Sequence, residues 1–183
     1  MADFGTAVFT TERLAVRPWT HTESDVAHIL DTYSRPDVVR WLGGSTAIGS
    51  RDQAEALVDR WASRSDPDRS LGVWAVEVHD TGTVVGRVML VALPDPEGTG
   101  DGEIEVGWTL HPDSWGHGYA TEAARGAITR GFAGGLSEIY AVVRPGNERS
   151  VAVCRRLGMT PIGRTERWYD TELDAFRIDR GRA

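Results

Sequence analysis

The pattern of apolar and polar residues predicts seven short strands, one of which alternates as a strand that buries one face does. The clearest stretch is EIEVGWTL, residues 103–110. Ile104, Val106, Trp108 and Leu110 take one face of this predicted strand, and Glu103, Glu105, Gly107 and Thr109 take the other. The remaining predicted strands cover residues 12–19, 70–78, 84–93, 138–144, 159–170 and 172–179, and the last two form a hairpin.

Apolar residues spaced three and four positions apart predict four helices between these strands. Two lie in the first third of the chain, at about 20–33 and 50–62. Thr22 is a plausible N-cap for the first of them, and Ser50 with Gln53 predicts a capping box for the second. The third runs to about Phe132 with Ala124, Ala127, Ile128 and Gly131 inward, and the fourth covers 147–158 and ends at Gly158.

The order of these elements predicts a single α/β (α+β) domain with a mixed sheet. The fourth predicted strand, a helix and the fifth predicted strand form a crossover, so strands four and five are expected to be parallel neighbours. Hairpins elsewhere make the rest antiparallel. Because the chain has no linker-like stretch, repeat or low-complexity tract, residues 1–183 are expected to be one domain with a core at about 12–180.

Composition narrows the function classes. The 183 residues are 40% hydrophobic and 26% charged, which is typical of a soluble globular protein. A formal net charge of −7 argues against nucleic-acid binding, although a small polyanionic ligand can still bind. With Cys154 as the only cysteine and scattered histidines, neither a disulfide nor a metal is expected. No signal or membrane-spanning pattern is seen, which predicts a cytoplasmic protein without membrane partners.

The stretch HPDSWGHGYATEAARGAI, residues 111–128, joins a glycine-rich turn directly to a helix. Gly116 and Gly118 allow a sharp turn or a close backbone approach. The free N–H groups at the start of the helix then point at the same place, which favours an anion. A tight strand-to-helix turn that binds nothing is the plainer interpretation of the glycines taken alone.

Together with the later stretch RPGNERSVAVCRRLGM, this segment resembles the GNAT superfamily of acyl-CoA N-acyltransferases. Within that superfamily it is similar to the Rim-type branch, whose founding members acetylate ribosomal-protein N-termini. The resemblance runs from about Glu12 to Arg180. It implies a mostly antiparallel seven-stranded sheet flanked by about four helices, with the fourth and fifth strands splayed. It also implies acetyl-CoA as co-substrate and no metal.

The resemblance assigns the phosphates of coenzyme A to the glycine turn. In the family pattern, Gly118 and Ala120 fill fixed places, whereas Trp115 stands where an arginine or glutamine is common. Phosphate binding is then left mainly to backbone N–H groups at Gly116 to Thr121, with help from the Thr121 hydroxyl and the charge of Arg125. The expected cofactor residues of this turn are Trp115, Gly116, His117, Gly118, Tyr119, Ala120 and Thr121.

The resemblance also predicts where the pantetheine arm and the acyl group bind. Trp108, Thr109 and Leu110 occupy the part of the fourth strand whose backbone pairs with that arm in the family. Gly107 suits either a bulge or close approach there, or a simple packing concession to Trp108.

Amine acetylation needs a base, and Glu105 is the candidate, acting directly or through a water. The alternative is a solvated strand carboxylate paired with an arginine. Backbone N–H groups of the same strand can polarise the thioester carbonyl.

The leaving thiolate needs a proton donor. At the position where the family commonly has a tyrosine, this chain has Cys154, which its apolar neighbours Val151 and Leu157 indicate is a core residue. Ser150 corresponds to a proton-donating serine in some Rim-type members and is the candidate here. Asn147 is expected to cap its helix, to contact the cofactor, or both.

The sequence says least about the acceptor of the acyl group. Trp41, Trp168, Tyr169 and Asp170 are candidates to line its cleft, unless the aromatic residues only cover the edge of the core. A protein N-terminus and a small-molecule amine both fit, as do a monomer and a homodimer. A dinucleotide-binding enzyme lacks its Gly-x-Gly-x-x-Gly pattern here. A non-catalytic acyl-CoA binder of the same fold stays open because of Trp115 and the missing tyrosine.

Overall fold

The computed structural model describes residues 7–43, 47–66, 70–94 and 102–182. These ranges contain eight strands and five helices. In chain order they are β1 (Phe9–Thr10), β2 (Leu14–Pro18), α1 (Glu23–Ser34), α2 (Pro36–Val39), α3 (Arg51–Ala62), β3 (Gly72–Val78), β4 (Val84–Ala92), β5 (Ile104–Leu110), α4 (Tyr119–Ala133), β6 (Glu138–Val143), α5 (Glu148–Arg156), β7 (Thr160–Thr165) and β8 (Leu173–Asp179).

The strands form one sheet in the order β1-β2-β3-β4-β5-β6-β8-β7. All neighbouring pairs are antiparallel except β5 and β6, which are parallel and joined by α4. The predicted mixed sheet and crossover are therefore confirmed, and β5 and β6 are the predicted fourth and fifth strands. The predicted count of seven strands is wrong by one. A strand as short as β1 is too brief to show alternation.

Two further predicted boundaries need correction. The helix α2 was not predicted, because its four residues contain less than two turns and so show no helical period. The predicted strand at 159–170 ends at Thr165, and the rest forms the turn into β8. Side-chain bonds from that turn to β5, described below, hold it out of the sheet. The predicted loop at 94–102 lies mostly outside the described residues.

Helices cover both faces of the sheet. On one face, α4 and α5 pack on the larger apolar cluster, which includes the buried Ile104 and Val106 of β5. The inward residues predicted for α4 are all buried. On the other face, α1 and α3 bury Tyr33, Trp61 and Val91 in a second cluster. The second face of β5 is therefore also covered.

One of the two N-caps predicted for the first helices makes a capping hydrogen bond, and the other does not. Ser50 caps α3 by accepting from the backbone N–H of Gln53, as predicted. The Gln53 side chain instead accepts from Gly49, one residue before the cap. Thr22 is at the N-cap of α1 but makes no capping bond with its side chain.

The strands β5 and β6 part soon after they meet. Their register consists of one Cα pair, Glu105 with Tyr140. Beyond this pair towards the carboxyl ends, β5 keeps its partner β4 as far as Leu110. The splay implied for the fourth and fifth strands is thus present, and it opens the sheet at the end where the glycine turn follows β5.

Candidate active site

The glycine turn after β5 has the conformation that the sequence predicted. Gly116 and Gly118 have φ angles of 85° and 81°, which residues other than glycine rarely adopt. Gly118 is the N-cap of α4, and no side chain of a described residue caps this helix. The first N–H groups of α4 are therefore free to bind an anion where the helix dipole also favours one.

An unsatisfied hydroxyl marks the same end of α4. The Oγ1 atom of Thr121 is buried and has no hydrogen-bond partner among the described residues. Most buried polar atoms in folded proteins have a hydrogen-bond partner, so this hydroxyl is available to one from outside the described residues. The turn and Thr121 together fit a phosphate group.

Arg13, in the turn between β1 and β2, holds the glycine turn in place. Its Nη1 donates to the backbone carbonyl of His117 over 3.1 Å, and its guanidinium lies 5.0 Å from the ring of Tyr119. Glu122 in the first turn of α4 accepts from the Nε and the backbone N–H of Arg13. Sequence reasoning missed Arg13, because its role depends on contacts more than 100 residues away along the chain.

Trp115 places the guanidinium of a neighbouring arginine, Arg149, beside the glycine turn. Its Nε1 donates to the carbonyl oxygen of Leu110 over 2.9 Å, which fixes the indole against the end of β5. The guanidinium of Arg149 stacks on that indole at 4.3 Å from its centroid. A positive charge from α5 thus lies beside the position where an arginine or glutamine is common in the family pattern. The predicted helper, Arg125, instead donates to the carbonyl of Arg156 at the end of α5.

Glu105 lies on the face of β5 that α1 and α3 cover. Its side chain is buried, and Oε2 accepts a 2.7 Å hydrogen bond from the hydroxyl of Tyr169. Burial raises the pKa of Glu105 to about 7, although the Tyr169 bond and the charge of Arg87 favour the carboxylate. The alternative of a solvated carboxylate paired with an arginine is therefore wrong. A buried carboxyl with a pKa near neutrality suits proton transfer.

The turn between β7 and β8 is fastened to β5 by two carboxylates. Trp168 Nε1 donates to Glu103 over 2.7 Å, and Tyr169 donates to Glu105 in the same way. Trp168 is buried against Tyr140, so it covers the core edge and does not line the cavity. Asp170, with a φ of 51°, shapes the turn and likewise lies outside the cavity lining. Trp41 and Tyr169 do line the cavity.

At Gly107 the structure shows neither a bulge nor a packing concession to Trp108, whereas a close approach by a ligand stays a prediction. The register between β4 and β5 is regular at this residue, so there is no bulge. A Cβ atom on Gly107 would come within 2.4 Å of the Met89 side chain, and the glycine therefore makes room for Met89 and not for Trp108. The close backbone approach lies at Gly86, where a Cβ would be 2.3 Å from the carbonyl oxygen of Thr109.

The first turn of α5 faces the cavity. Asn147 caps the helix by accepting from the backbone N–H of Ser150, which leaves its side-chain NH₂ group for a ligand. Ser150 lines the cavity. Cys154 is fully buried in the larger apolar cluster, and burial raises the pKa of its thiol to about 12. Cys154 is thus a core residue that cannot readily exchange a proton at neutral pH.

One cavity of about 2340 Å³ joins these parts. Every residue predicted from the sequence to bind cofactor or to act in catalysis lines it: Glu105, Trp108, Thr109, Leu110, Trp115, Gly116, His117, Gly118, Tyr119, Ala120, Thr121, Asn147 and Ser150. Across the described ranges, no cluster of three or more histidine, cysteine or acidic side chains is arranged to hold a metal ion. No described helix is long and apolar enough to cross a membrane.

Comparison with known proteins agrees with this geometry. The family described as Acetyltransferase (GNAT) domain matches residues 13–160, and the chain therefore belongs to this family. It is 28% identical over 157 residues to the uncharacterized N-acetyltransferase YoaA of Bacillus subtilis, a match that covers 85% of this chain and 84% of that protein.

Solved structures share the fold. An acetyltransferase (GNAT family) from Bacillus anthracis is similar with a TM-score of 0.74 and 20% identity, covering 94% of this chain and 98% of that one. RimL, a ribosomal alpha-N-protein acetyltransferase in complex with coenzyme A, is similar with a TM-score of 0.75 and 13% identity, covering 94% and 97%. The Rim-type resemblance is thus matched at the level of the fold.

Proposed function

We propose that this protein transfers an acetyl group from acetyl-CoA to a primary amine, by direct attack of the amine while both substrates are bound. The observation that carries the proposal is the buried carboxyl of Glu105, whose pKa is raised to about 7, in the same cavity as the uncapped start of α4. One feature suits a base for an amine, and the other suits the phosphates of coenzyme A.

Coenzyme A is assigned to the side of the sheet that carries α4 and α5. The unsatisfied Thr121 hydroxyl and the free N–H groups from Gly116 to Thr121 support binding of its pyrophosphate there. The stacked guanidinium of Arg149 supports it further, since it adds a positive charge. The coenzyme A bound to RimL, a protein of the same fold, is consistent with this assignment.

The acetyl group is assigned to the gap between β5 and β6. The strands part beyond Glu105 and Tyr140, so backbone groups of Trp108, Thr109 and Leu110 are candidates to bind the pantetheine arm. Coenzyme A supplies the activated acetyl thioester when it is bound. Backbone N–H groups of β5 then stabilise the charge that develops on its carbonyl oxygen.

The proton steps fall to two residues of this chain. A C–N bond forms as the amine attacks the carbonyl carbon, and the C–S bond breaks. Glu105 takes the proton that the amine loses, directly or through a water. The sulfur receives a proton through the hydroxyl of Ser150, because Cys154 is buried away from the cavity.

The acceptor is a primary amine of a protein N-terminus or of a small molecule. We further propose a cytoplasmic protein, active as a monomer or a homodimer, in which residues 1–183 form the acetyltransferase domain. The second candidate function is a non-catalytic acyl-CoA binder, which the buried Cys154 favours because it leaves no phenol for the thiolate.

A screen of amines with acetyl-CoA separates the two candidates. Mass spectrometry would detect acetylated product, and calorimetry would measure coenzyme A binding to the same preparation. Acetylated product supports the transferase. Binding without transfer to any member of a panel of peptides, amino acids, polyamines and aminoglycosides supports the binder.

Two glycines with similar backbones test the coenzyme A assignment. Gly118 and Gly82 both have positive φ angles, and a Cβ on either meets no atom closer than 3.5 Å. Gly118→Ala and Gly82→Ala should therefore each cost about 1 kcal/mol of stability through backbone strain. Only Gly118→Ala should weaken coenzyme A binding, by about tenfold or more. Equal affinity of the two folded variants for coenzyme A in calorimetry would contradict the assignment of the phosphates to this turn.

A further inference from the structure

The cavity concentrates positive charge although the chain has a net charge of −7. Nine arginines and four glutamates are among the described residues that line it. Three of these glutamates lie in the β1–β2 turn and the first turns of α4 and α5. On the face of the sheet where an amine would meet Glu105, the lining therefore has more arginine than carboxylate.

Arg87 is the arginine that this face of the sheet presents beside Glu105. It lies on β4 opposite Thr109, and alternation along the paired strands puts its side chain on the same face as Glu105. The guanidinium is half-buried between the rings of Tyr33 and Trp61, at 5.7 and 5.3 Å from their centroids. These aromatic residues of α1 and α3 fix its position in the cavity.

Most hydrogen-bonding capacity of Arg87 is unused. Its Nε donates to Thr109 Oγ1 over 3.3 Å. Among the described residues, the four N–H groups on Nη1 and Nη2 have no hydrogen-bond acceptor and Arg87 has no ion pair. A partly desolvated guanidinium without an anion is costly, and its open edge fits the two oxygens of a carboxylate or phosphate.

A second arginine in the cavity lacks a hydrogen-bond partner at its Nε atom among the described residues. Arg144 follows β6 and lines the same cavity, and its Nε is buried without a partner among the described residues. Its Nη2 lies near Gly43, since a Cβ atom on Gly43 would be 3.6 Å from Nη2. The side chain of Arg144 therefore reaches the segment that follows α2. Two guanidinium groups thus border this part of the cavity without a carboxylate of their own.

We infer that the amine acceptor carries an oxyanion, a carboxylate or a phosphate, that binds Arg87 while its amino group faces Glu105. This inference rests on the proposed acetyl transfer. Thr109, the partner of Arg87, lies four positions after Glu105 on β5, which is about 13 Å along the strand. The two side chains reach into this interval, so the amine and the oxyanion of the acceptor are separated by several bonds.

Matched acceptors test the inference in the wild-type protein. The panel contains ω-amino carboxylates of increasing chain length, the aminoalkyl phosphates of the same lengths, and peptides with an acidic or an amide second residue. Each carboxylate is paired with its carboxamide, and each phosphate with its alcohol. The anionic member of the best pair should have a kcat/KM higher by about tenfold or more. Whichever series shows the preference identifies the source of the oxyanion.

Arg87→Gln then asks whether Arg87 is the cause. The anionic preference should fall to within about threefold, mainly through KM. The ratio between paired acceptors is the readout, because Arg87 also favours the ionised form of Glu105 and its loss would slow every acceptor alike. Arg87→Lys should keep part of the preference. Arg164→Gln, in an exposed ion pair on β7, is the matched control and should leave the ratio unchanged.

The outcomes are distinguishable. Acetyl transfer without any anionic preference in the wild type overturns this inference and leaves the proposed function in place. A preference that Arg87→Gln does not change also overturns it. Failure to acetylate any acceptor, with coenzyme A still bound, contradicts the proposed function and with it this inference. The chain has no lysine, so acetylation of its own lysine side chains adds no background to the mass spectra.

Discussion

At the scale of single residues, Glu105 and Ser150, the two residues proposed to transfer protons, lie on opposite faces of the sheet. Glu105 is buried on the α1 and α3 face, where Tyr169 donates to it. Ser150 is in the first turn of α5, on the face where coenzyme A is assigned. In the proposed reaction, the amine and the thiolate would therefore exchange protons from opposite sides of the gap between β5 and β6.

Ser150→Ala should lower kcat by about tenfold or more with near-normal coenzyme A affinity, because assistance by a general acid is commonly worth about 10² to 10⁴ in rate. Cys154→Ala should keep the rate and lose about 1 kcal/mol of stability, because it removes a fully buried sulfur from the core. Steady-state kinetics and urea unfolding of both variants check this. A rate loss confined to Cys154→Ala would reverse the two roles.

At the scale of elements, the turn before α4 is held by a residue from the other end of the domain. Arg13 bonds to the His117 carbonyl and pairs with Glu122, and no described side chain caps Gly118. Arg13 thus holds the turn in place, while the N–H groups proposed to bind the phosphates keep no side-chain partner among the described residues. This is the arrangement that an anion site requires.

Arg13→Met should weaken coenzyme A binding by about tenfold, since the turn loses its ion pair and the bond to His117. The protein should still fold, because the side chain of Arg13 is 46% exposed. Arg164→Met removes an exposed arginine that also pairs with two carboxylates but lies on the edge strand β7. Calorimetry should give the wild-type affinity for this control. An unchanged affinity in Arg13→Met would mean that the turn keeps its shape unaided.

At the scale of the whole molecule, two groups whose pKa values are shifted by burial give stability opposite dependences on pH. Burial raises the pKa of Glu105 to about 7, so its contribution is complete below about pH 4.5 and is lost as the pH rises through 7. Burial, followed by the charge of His111, lowers the pKa of His28 to about 4. The contribution of His28 is complete above about pH 6.5 and is lost as the pH falls through 4.

Glu105→Gln should therefore be more stable than the wild type above pH 7, by up to about 3 kcal/mol near pH 8. The difference should vanish by about pH 4.5, where both proteins carry an uncharged side chain. His28→Gln should instead lose part of the acid sensitivity. Urea unfolding at a series of pH values measures both. A Glu105→Gln variant that is less stable than the wild type at high pH would contradict the burial of an ionisable carboxyl.

The sequence predicted the fold and brought together the residues assigned to coenzyme A, because both depend on local patterns. The alternation in β5, the glycines before α4 and the Asn147 cap are each visible within a few residues. The acceptor side depends on contacts between distant segments. Nothing near Glu105 in the sequence indicates Tyr169, and nothing near Arg87 indicates Tyr33 or Trp61. The close backbone approach at Gly86 was not predicted, although a glycine inside a strand is a signal for one.

The most direct test of the central claim is the pH dependence of acetyl transfer at saturating acetyl-CoA, in the wild type and in Glu105→Gln. The wild-type kcat should rise with pH and level off above about pH 7, because only the carboxylate of Glu105 accepts the amine proton. Glu105→Gln should be slower by about 10² or more, without this rise, and should bind coenzyme A as the wild type does. A variant with the wild-type rate and the wild-type profile would contradict the account, because the base would then lie elsewhere.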